Sequence, residues 1–513
     1  MASSFEILCG IAVLFLALYY YLTSTFDFWK SRGVVGPKPV PFFGTTKDLI
    51  LVKKSTAHFV KDIYEKYKNE PMVGLYATRS PFLLLNDPEL IKDILIRDFS
   101  KFANRGLGVF ERIKYRQTEP LSPHLLNLEV ERWRPLRSRL SPIFTSGKLK
   151  EMFYLIIECS LNLEMYLDKL IEKNEPIECR ELTARFTTDV IGSCAFGIDM
   201  SSMTNENSEF RRMGREVFAV NFMNVMRMKL KQFMPRLYDL LGYVMPDRTF
   251  APFFTRVVTD TIKYRNDNNI VRPDFINMLM ELQKNPQKLE NISMSKSKYY
   301  TEITDNLLAA QAFVFFAAGF ETSSTTMAHA LYEMALNPNI QDKLRKEIKE
   351  FYANNNFTYE EVKKMKYLDK VFKIETLRKY PPGVFLKRKC NSNYTFKGTK
   401  VSIPAGTSVI IPVYSIQTDP KFYENPDVFD PERFNEDAVA ARHPMTYLPF
   451  GDGPRKCIGI RFGVYQTKVG LIKMLKNFKV NVCEKTMIPY IKKINSFTLA
   501  PKDGIFLKVE KNN

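Results

Sequence analysis

Glycine and cysteine are both scarce in this chain of 513 residues, which contains 22 glycines and 7 cysteines. The cysteines are odd in number and lack the spacing of a disulfide framework, so we expect reduced thiols and a cytosolic environment for the body of the chain. No zinc-finger spacing and no basic coil run occurs, so we predict that nucleic acid is not a partner. No tandem repeat, long low-complexity tract or composition break follows residue 45, which favours one large domain.

A dinucleotide-binding motif is also missing. No G-x-G-x-x-G follows a strand, and Gly451 with Gly453 fails the pattern because position 456 is lysine. The chain therefore has no evident flavin or nicotinamide site of its own.

Positive charge is in excess, with 75 Lys+Arg against 56 Asp+Glu and a formal net charge of +19. This surplus suits an anionic membrane surface or an acidic protein partner. A solvated basic surface without a partner is the alternative that composition leaves open.

An uncharged run lies near the N-terminus. ILCGIAVLFLALYYYL spans Ile7 to Leu22, and charge is absent up to Phe26, which gives roughly the 20 residues that cross a bilayer core of about 30 Å. The run ends in tyrosines and is followed by Lys30 and Arg32, so we expect an uncleaved single-pass anchor over residues 1–26. The basic flank should stay cytosolic, which places the N-terminus in the lumen and leaves the sequons at Asn291, Asn356 and Asn393 without glycan.

Residues 27–44 form a basic and proline-rich linker, and residues 45–513 the main domain. Pro37, Pro39 and Pro41 forbid a helix in the linker and favour a stiff, extended spacer. We expect no second membrane span, because the nearest candidate, Leu307 to Phe320, is short and runs into Glu321.

The body has mostly helical periodicity. Apolar residues at helical spacing predict helices over 149–172, 180–196, 299–336, 340–354 and 458–478. Short alternating runs predict strands over 72–78, 81–86 and 504–510. The predicted fold is mainly α with small β-sheets.

One short stretch is rich in glycine. PFGDGPRKCIG, from Pro449 to Gly459, frames Cys457 with three glycines and places Arg455 beside it. A helix is predicted just after the cysteine, and free N–H groups at a helix start lower a thiol pKa. The loop is therefore expected to hold an anionic sulfur in a fixed position.

A single thiolate limits the possible metal sites. Zinc requires three or four protein ligands and an iron–sulfur cluster four cysteines, whereas haem needs one axial ligand. Cys159 and Cys194 are instead expected to be small buried hydrophobes.

The loop matches F-x-x-G-x-R-x-C-x-G at every fixed position and resembles the haem-binding signature of the cytochrome P-450 family. The resemblance implies that fold in a single large haem domain, with haem b as cofactor. It makes Cys457 the axial ligand, Arg455 a partner of a haem propionate and Phe450 a residue that packs by the sulfur.

Further motifs extend the resemblance over most of the chain. WRPLR is similar to the propionate-binding helix of the family, and Arg388 and Arg105 resemble the remaining propionate partners. ETLR followed by PERF resembles a structural triad behind the haem. The residues concerned are Trp133, Arg137, Arg388, Arg105, Glu375, Arg378 and Arg433.

AAGFETSS lies inside the long apolar helix. Gly319 is expected to let a small molecule approach the backbone, and Ala318 and Thr322 share a helix face. Glu321 and Thr322 place an acid and an alcohol at one level, and the resemblance implies that this pair delivers protons for oxygen activation. The alternative is a threonine-rich turn that bonds its own carbonyls and kinks the helix.

The resemblance implies a microsomal monooxygenase of the endoplasmic reticulum membrane, whose catalytic domain lies on the cytosolic face. Electrons from NADPH would arrive through NADPH–cytochrome reductase, with cytochrome b5 as a further donor and membrane lipid as a partner. Two alternatives are a relative that isomerises substrates or rearranges peroxides, and a membrane haem protein without turnover.

Two other stretches, Asp87 to Phe99 and Lys148 to Phe153, are similar to insect family-six members, which implies small apolar substrates such as plant toxins or insecticides. The expected substrate contacts are Phe110, Phe313, Val314, Ala317, Phe385 and Phe497.

Overall fold

The computed structural model describes residues 4–106, 119–205, 208–217, 226–227, 230, 234, 237–238, 250–284, 304–354, 357–494 and 498–511. Phe110 and Phe497, two of the predicted substrate contacts, lie outside these ranges, as do the sequons at Asn291 and Asn356.

Helices dominate the described residues, as the sequence predicted. They follow in the order α1 Ser4–Thr23, α2 Lys47–Ile50, α3 Thr56–Lys66, α4 Pro88–Lys92, α5 Val130–Leu140, α6 Ser146–Ile171, α7 Cys179–Ile191, α8 Glu209–Val217, α9 Phe250–Asp267, α10 Phe275–Lys284, α11 Asp305–Leu336, α12 Pro338–Asn354, α13 Tyr359–Lys364, α14 Lys366–Leu368, α15 Leu377–Lys379, α16 Val413–Gln417, α17 Glu436–Ala441 and α18 Ile460–Asn477.

The helical path also includes wider and tighter turns. The π-type stretches are Asp93–Arg97, Gly192–Phe196 and Asp369–Thr376. The 3-10 helices are Lys30–Arg32, Phe99–Phe102, Ser141–Phe144, Pro431–Phe434 and Pro444–Thr446.

The strands within the described ranges form three small sheets. They are β1 Met72–Ala77, β2 Ser80–Leu85, β3 Ile177–Glu178, β4 Leu386–Lys389, β5 Tyr394–Thr395, β6 Ser402–Ile403, β7 Ser408–Ile411, β8 Phe478–Asn481 and β9 Phe506–Lys511. The sheets have the orders β1-β2-β7-β4, β3-β9-β8 and β5-β6. Only β2 and β7 pair in parallel among these strands, with Leu83 opposite Val409.

Helix α11 passes through the core. Thr304 caps its start by accepting the N–H of Leu307 at 3.3 Å. The helix is long and apolar enough to cross a bilayer, but 67% of its most apolar window is buried inside the protein. It packs against α7, α9 and α18, so it is a core helix. The stretch 307–320 belongs to this longer helix, and burial, not shortness, is what argues against a second membrane span.

Helix α1 is also long and apolar enough to span a membrane, with a mean hydropathy of 2.0 in its most apolar window and none of that window buried. Its burial differs completely from that of α11. An apolar helix that no protein surrounds fits a membrane anchor.

The segment between the anchor and the body packs closely on the first sheet. Trp29 is 2% exposed, and its indole N–H donates to Leu75 O at 2.9 Å. A Cβ on Gly74 would lie 2.3 Å from Trp29 Cγ, so only glycine leaves room for the indole. The backbone of Gly74 donates to Val35 O at 2.8 Å. The predicted linker is therefore docked on β1 and does not extend away as a free spacer.

Candidate active site

The cysteine loop is fixed against the turn that follows α4. Gly451 and Gly453 have φ angles of +66° and +71°, a region that favours glycine. A Cβ on Gly453 would lie 1.9 Å from Leu95 O, so the loop can approach this carbonyl only with glycine there. The N–H of Cys457 donates to Phe450 O at 3.0 Å. These constraints hold the thiol in one place, and the backbone carbonyl of Phe450 contributes to them.

Cys457 has accessible surface, whereas Cys159 and Cys194 are buried as expected. Helix α18 begins at Ile460, with Gly459 as its N-cap. Although Cys457 has accessible surface, desolvation by the protein atoms packed around it raises the pKa of its thiol, while a hydrogen bond from the Gly459 N–H and the charges of Arg105 and Arg137 act in the opposite direction. Our expectation of a lowered pKa is therefore wrong for the chain alone, because desolvation outweighs the helix start. A metal cation at the sulfur is the additional charge that would favour the thiolate.

Four arginines gather beside the loop. Arg455 is 2% exposed and donates to Ala103 O and to Leu128 O, both at 2.9 Å. Its guanidinium lies 4.0 Å from the centre of the Trp133 ring. Arg105 donates to Arg455 O at 2.9 Å. Two further arginines lie close enough for their charges to act on the guanidinium of Arg455. They are Arg388, which is also 2% exposed, and half-buried Arg137.

This cluster has unmet positive charge. Burial, and then Arg105, Arg388 and Arg137, lower the pKa of Arg455 to about 8. Burial and the charge of Arg105 lower the pKa of Arg388 to about 9. Nη1 of Arg455 and Nε of Arg388 are buried without a hydrogen-bond partner. Arginine does not deprotonate in proteins, so such a cluster calls for an anion.

The residues present fit a haem. An accessible thiol offers one axial ligand, and the orphaned guanidinium atoms offer partners for two propionates. Among the described residues, no group of three or more His, Cys, Asp and Glu side chains could hold a metal by itself. A cofactor that needs a single protein ligand is consistent with this arrangement.

Helix α11 presents an accessible face in the middle of its buried length. Ala318 and Thr322 are exposed, although most of their neighbours on the helix are buried. The Thr322 hydroxyl donates to Ala318 O at 2.6 Å. Gln466 of α18 donates to Gly319 O at 3.4 Å. The accessible face therefore lies beside the helix that follows Cys457.

Gly319 has a packing role that the sequence did not suggest. A Cβ at this position would lie 2.3 Å from Ile191 Cδ1. The residue lets α7 approach α11 closely, and the approach of a small molecule to its backbone stays a prediction.

Glu321 and Thr322 do not face the same space. Glu321 is buried, and Arg180 Nη2 of α7 lies 2.6 Å from its Oε1. The Thr325 and Thr498 hydroxyls donate to the same oxygen at 3.5 and 3.4 Å. Adjacent helical residues point about 100° apart, so the acid turns toward α7 while the alcohol stays on the open face. The two side chains therefore face different sides of the helix, and the role of the pair in proton delivery stays a prediction.

Sequence reasoning missed Arg180. The residue lies 141 positions before Glu321, and no local pattern connects them. Only the packing of α7 against α11 brings the charges together.

The described substrate-contact candidates lie on two elements. Phe313, Val314 and Ala317 are partly buried on α11, and the ring of Phe313 lies 5.1 Å from that of Phe254. Phe385 is partly buried just before β4 and packs against a cluster that contains Val384 and Leu499.

The residues of ETLR and PERF come together in a buried ion pair. Arg378 makes two hydrogen bonds of 2.7 Å to the carboxylate of Glu375, and both side chains are 0% exposed. Arg433 Nε lies 3.5 Å from Glu375 Oε1. Arg378 also donates to Gln417 O and Pro426 O, at 3.0 and 2.7 Å. The triad therefore joins three separate segments of backbone.

The chain is similar to known proteins over almost its whole length. A family model described as Cytochrome P450 matches residues 34–508. Cytochrome P450 6a8 of Drosophila melanogaster is 41% identical, with 98% of this chain and 99% of that protein covered. Cytochrome P450 6A1 of Musca domestica is 39% identical, with 98% and 97% covered. Cytochrome P450 6B1 of Papilio polyxenes is 37% identical, with 98% and 99% covered.

Proposed function

This chain belongs to the cytochrome P450 family, and we propose that Cys457 supplies the thiolate that holds the haem iron. Family membership confirms the resemblance drawn from the cysteine loop, including the similarity to insect family six. The protein is a haem-thiolate monooxygenase, an oxidoreductase that incorporates one atom of O2 into its substrate.

The observation that carries the residue assignment is an accessible thiol beside a cluster of arginines in which Arg455 and Arg388 each bury a nitrogen atom without a hydrogen-bond partner among the described residues. Arg455, Arg388, Arg105 and Arg137 hold the two propionates in this proposal, and Trp133 supports the guanidinium of Arg455. When bound, the haem supplies the binding and activation of dioxygen.

Thr322 positions a proton on the open face of α11. Its hydroxyl now donates to Ala318 O at 2.6 Å, and a rotation about χ1 would turn the donor toward the site. The carboxyl group of Glu321 is the second group that can carry a proton. Its contact with Arg180, whose side chain is 30% exposed, connects the buried acid with solvent. The two residues thus serve as successive positions for a proton, with solvent as its source.

NADPH–cytochrome reductase is the proposed electron donor, with cytochrome b5 as a second one. The chain lacks a dinucleotide motif, so a separate protein must bind NADPH. The excess of positive charge favours acidic partners.

The proposed location is the endoplasmic reticulum membrane, with α1 as a single-pass anchor in contact with lipid and the body in the cytosol. The exposed apolar α1 and the cationic residues Lys30 and Arg32 after it support this orientation.

The proposed substrates are small apolar molecules such as plant toxins or insecticides. Aromatic and aliphatic side chains dominate the candidates on α11, namely Phe313, Val314 and Ala317. A space with such walls favours apolar ligands.

Reconstitution with reductase, NADPH and a panel of apolar compounds tests the proposal. We expect oxygen uptake that depends on NADPH and on substrate, together with oxygenated products. Turnover of hydroperoxides without oxygen uptake would favour a peroxide-rearranging enzyme. Haem binding without any turnover would favour a binding protein.

A further inference from the structure

A hairpin near the C-terminus is attached to the buried side of α11. It comprises residues 487–494 and 498–502, and we call it the C-terminal hairpin. Lys493 N–H donates to Ala500 O at 2.8 Å, and Lys502 N–H donates to Ile491 O at 2.7 Å. These two hydrogen bonds define its base.

His329 provides one attachment from α11. It is 0% exposed, with Nδ1 2.8 Å from Thr325 O and Nε2 2.9 Å from the Tyr490 hydroxyl. Its ring stacks on Tyr380 with centroids 4.3 Å apart and an interplanar angle of 15°. Burial lowers the pKa of His329 to about 3, so the imidazole is neutral. Since Thr325 O can only accept, Nδ1 carries the hydrogen and Nε2 accepts from Tyr490.

Tyr490 continues this contact into the other strand of the hairpin. The same hydroxyl donates to Leu499 O at 3.1 Å, so its single hydrogen is shared between His329 Nε2 on the helix and the returning chain. A second contact, from the Tyr332 hydroxyl to Met487 O at 3.1 Å, holds only the beginning of the hairpin.

The returning strand reaches both parts of the candidate site. Thr498 donates to Glu321 Oε1 at 3.4 Å. Leu499 is 2% exposed and belongs to the cluster against which Phe385 packs. A shift of this strand would move a wall of the site and a hydrogen-bond partner of the buried acid together.

We propose that His329 and Tyr490 are positioning residues that fix the C-terminal hairpin on α11 and thereby set the shape of the substrate space beside Phe385. The inference rests on the proposed haem site only in using that space as the place of substrate binding. Neither side chain needs to touch substrate. Packing alone does not explain the pair, because a buried imidazole is tolerated only when its polar atoms have partners.

Four variants separate the role of this bond from general stability. Tyr490→Phe removes the hydroxyl and keeps the ring. His329→Gln places an amide near the position of Nε2, whereas His329→Asn places one near Nδ1 and cannot reach Tyr490. Tyr332→Phe removes the other contact and serves as the matched control.

Amide hydrogen exchange of the full-length protein is the first measurement. We expect the amides of Lys493 and Lys502 to exchange faster in Tyr490→Phe and in His329→Asn, and to stay protected in His329→Gln and Tyr332→Phe. Both substitutions remove the same hydrogen bond between His329 and Tyr490. Combining His329→Asn with Tyr490→Phe should therefore add little to the effect of either single change.

Ligand binding to the haem protein is the second measurement, with 4-phenylimidazole and imidazole as probes. Loss of the bond should weaken 4-phenylimidazole about tenfold, the effect of one hydrogen bond of about 1.4 kcal/mol. Imidazole is too small to sense the wall and should bind equally to all variants. His329→Gln should restore the ratio of the two dissociation constants.

Unchanged exchange and an unchanged ratio in Tyr490→Phe and His329→Asn would overturn the inference. Equal weakening of both probes would also overturn it, because that result indicates damage to the haem site. If the unaltered protein binds neither probe, the proposed haem site fails, while hydrogen exchange still decides whether the pair fixes the hairpin.

Discussion

Arg388 and Arg455 occupy positions that are unfavourable for cations in a protein alone. Each side chain is 2% exposed, and each has a nitrogen atom without a hydrogen-bond partner. Burying a cation without a counterion costs several kcal/mol, so a sequence keeps such residues only where a ligand returns that free energy. At the residue scale, the cluster itself therefore indicates an anionic ligand.

The first prediction concerns Cys457. Cys457→Ser should abolish the absorption band typical of thiolate-ligated haem in the reduced carbon monoxide complex, because a serine hydroxyl does not supply a thiolate. Cys483→Ser is the control, since Cys483 is also partly accessible but lies outside the glycine-framed loop. Retention of the band in Cys457→Ser would show that a residue other than Cys457 is the axial ligand.

The second prediction concerns the propionate partners. Arg388→Met should weaken haem retention by about 10- to 100-fold, corresponding to roughly 1.5–3 kcal/mol for a hydrogen bond to a charged group. The same change should leave the haem-depleted protein at least as stable, because it removes one of several like charges. Haem transfer to apomyoglobin and thermal unfolding measure the two effects.

Arg461→Met is the matched control for this prediction, since Arg461 is exposed on α18. It should change neither quantity. Destabilisation of the haem-depleted protein by Arg388→Met, without any change in haem retention, would mean that Arg388 is a structural residue.

The third prediction concerns Thr322. Thr322→Ala should leave haem content and the carbon monoxide spectrum near normal while product per NADPH consumed falls and hydrogen peroxide rises. An orienting donor is typically worth ~10²-fold in the step it serves, although water can replace part of this effect. Thr326→Ala is the control, because Thr326 lies one turn further in a buried position and donates to Thr322 O. Full coupling in both Thr322→Ala and Glu321→Gln would exclude a role in oxygen activation.

At the scale of elements, the apolar pattern was sufficient to predict the main helices. The predicted range 458–478 corresponds to Ile460–Asn477, and 149–172 to Ser146–Ile171. These elements follow from local periodicity, because one apolar face must be buried. The direction of Glu321 could not be predicted, since its partner Arg180 is brought close only by the packing of α7.

The cysteine loop could be predicted only in part from the sequence. Its glycines could be recognised from the sequence, but Leu95 O, the group that requires Gly453, is more than 350 positions away in the chain. Arg105 and Arg388 could be assigned only through the family resemblance. Nothing in their local sequence indicates that they meet Arg455.

The fourth prediction tests the buried triad of Glu375, Arg378 and Arg433, which joins the π-type stretch Asp369–Thr376 to the 3-10 helix Pro431–Phe434. Glu375→Gln should lower the free energy of unfolding by about 3–5 kcal/mol, because Arg378 is left buried without its counterion. Chemical denaturation measures this change. Glu151→Gln is the control, since its contact with Lys148 is exposed, and it should change stability by less than about 1 kcal/mol. Similar effects of the two substitutions would contradict the structural role.

At the scale of the whole molecule, the first sheet fixes the end of the anchor. The Thr25 hydroxyl donates to Arg79 O at 2.7 Å, and the Arg79 guanidinium lies 3.6 Å from the centre of the Tyr21 ring. Arg32 donates to Ser402 O at 3.0 Å. The three linker prolines indicate a stiff segment, which stays a prediction, and the surface of β1 on which Trp29 docks could not be recognised from the local sequence. One of the two basic residues after the anchor, Arg32, therefore contacts the body.

The fifth prediction concerns the orientation of the protein in the membrane. Because Arg32 contacts Ser402 in the body, the basic flank and the catalytic domain must lie on the same side of the bilayer, and cytosolic retention of this flank places both in the cytosol. Protease added to sealed microsomes should digest the body, and Asn393, which is exposed, should carry no glycan, nor should Asn291 or Asn356. Detergent permeabilisation is the control and should leave the digestion pattern of the body unchanged. Protection of the body until detergent is added, together with glycan at Asn393, would place the domain in the lumen, where the proposed cytosolic electron donors could not reach it.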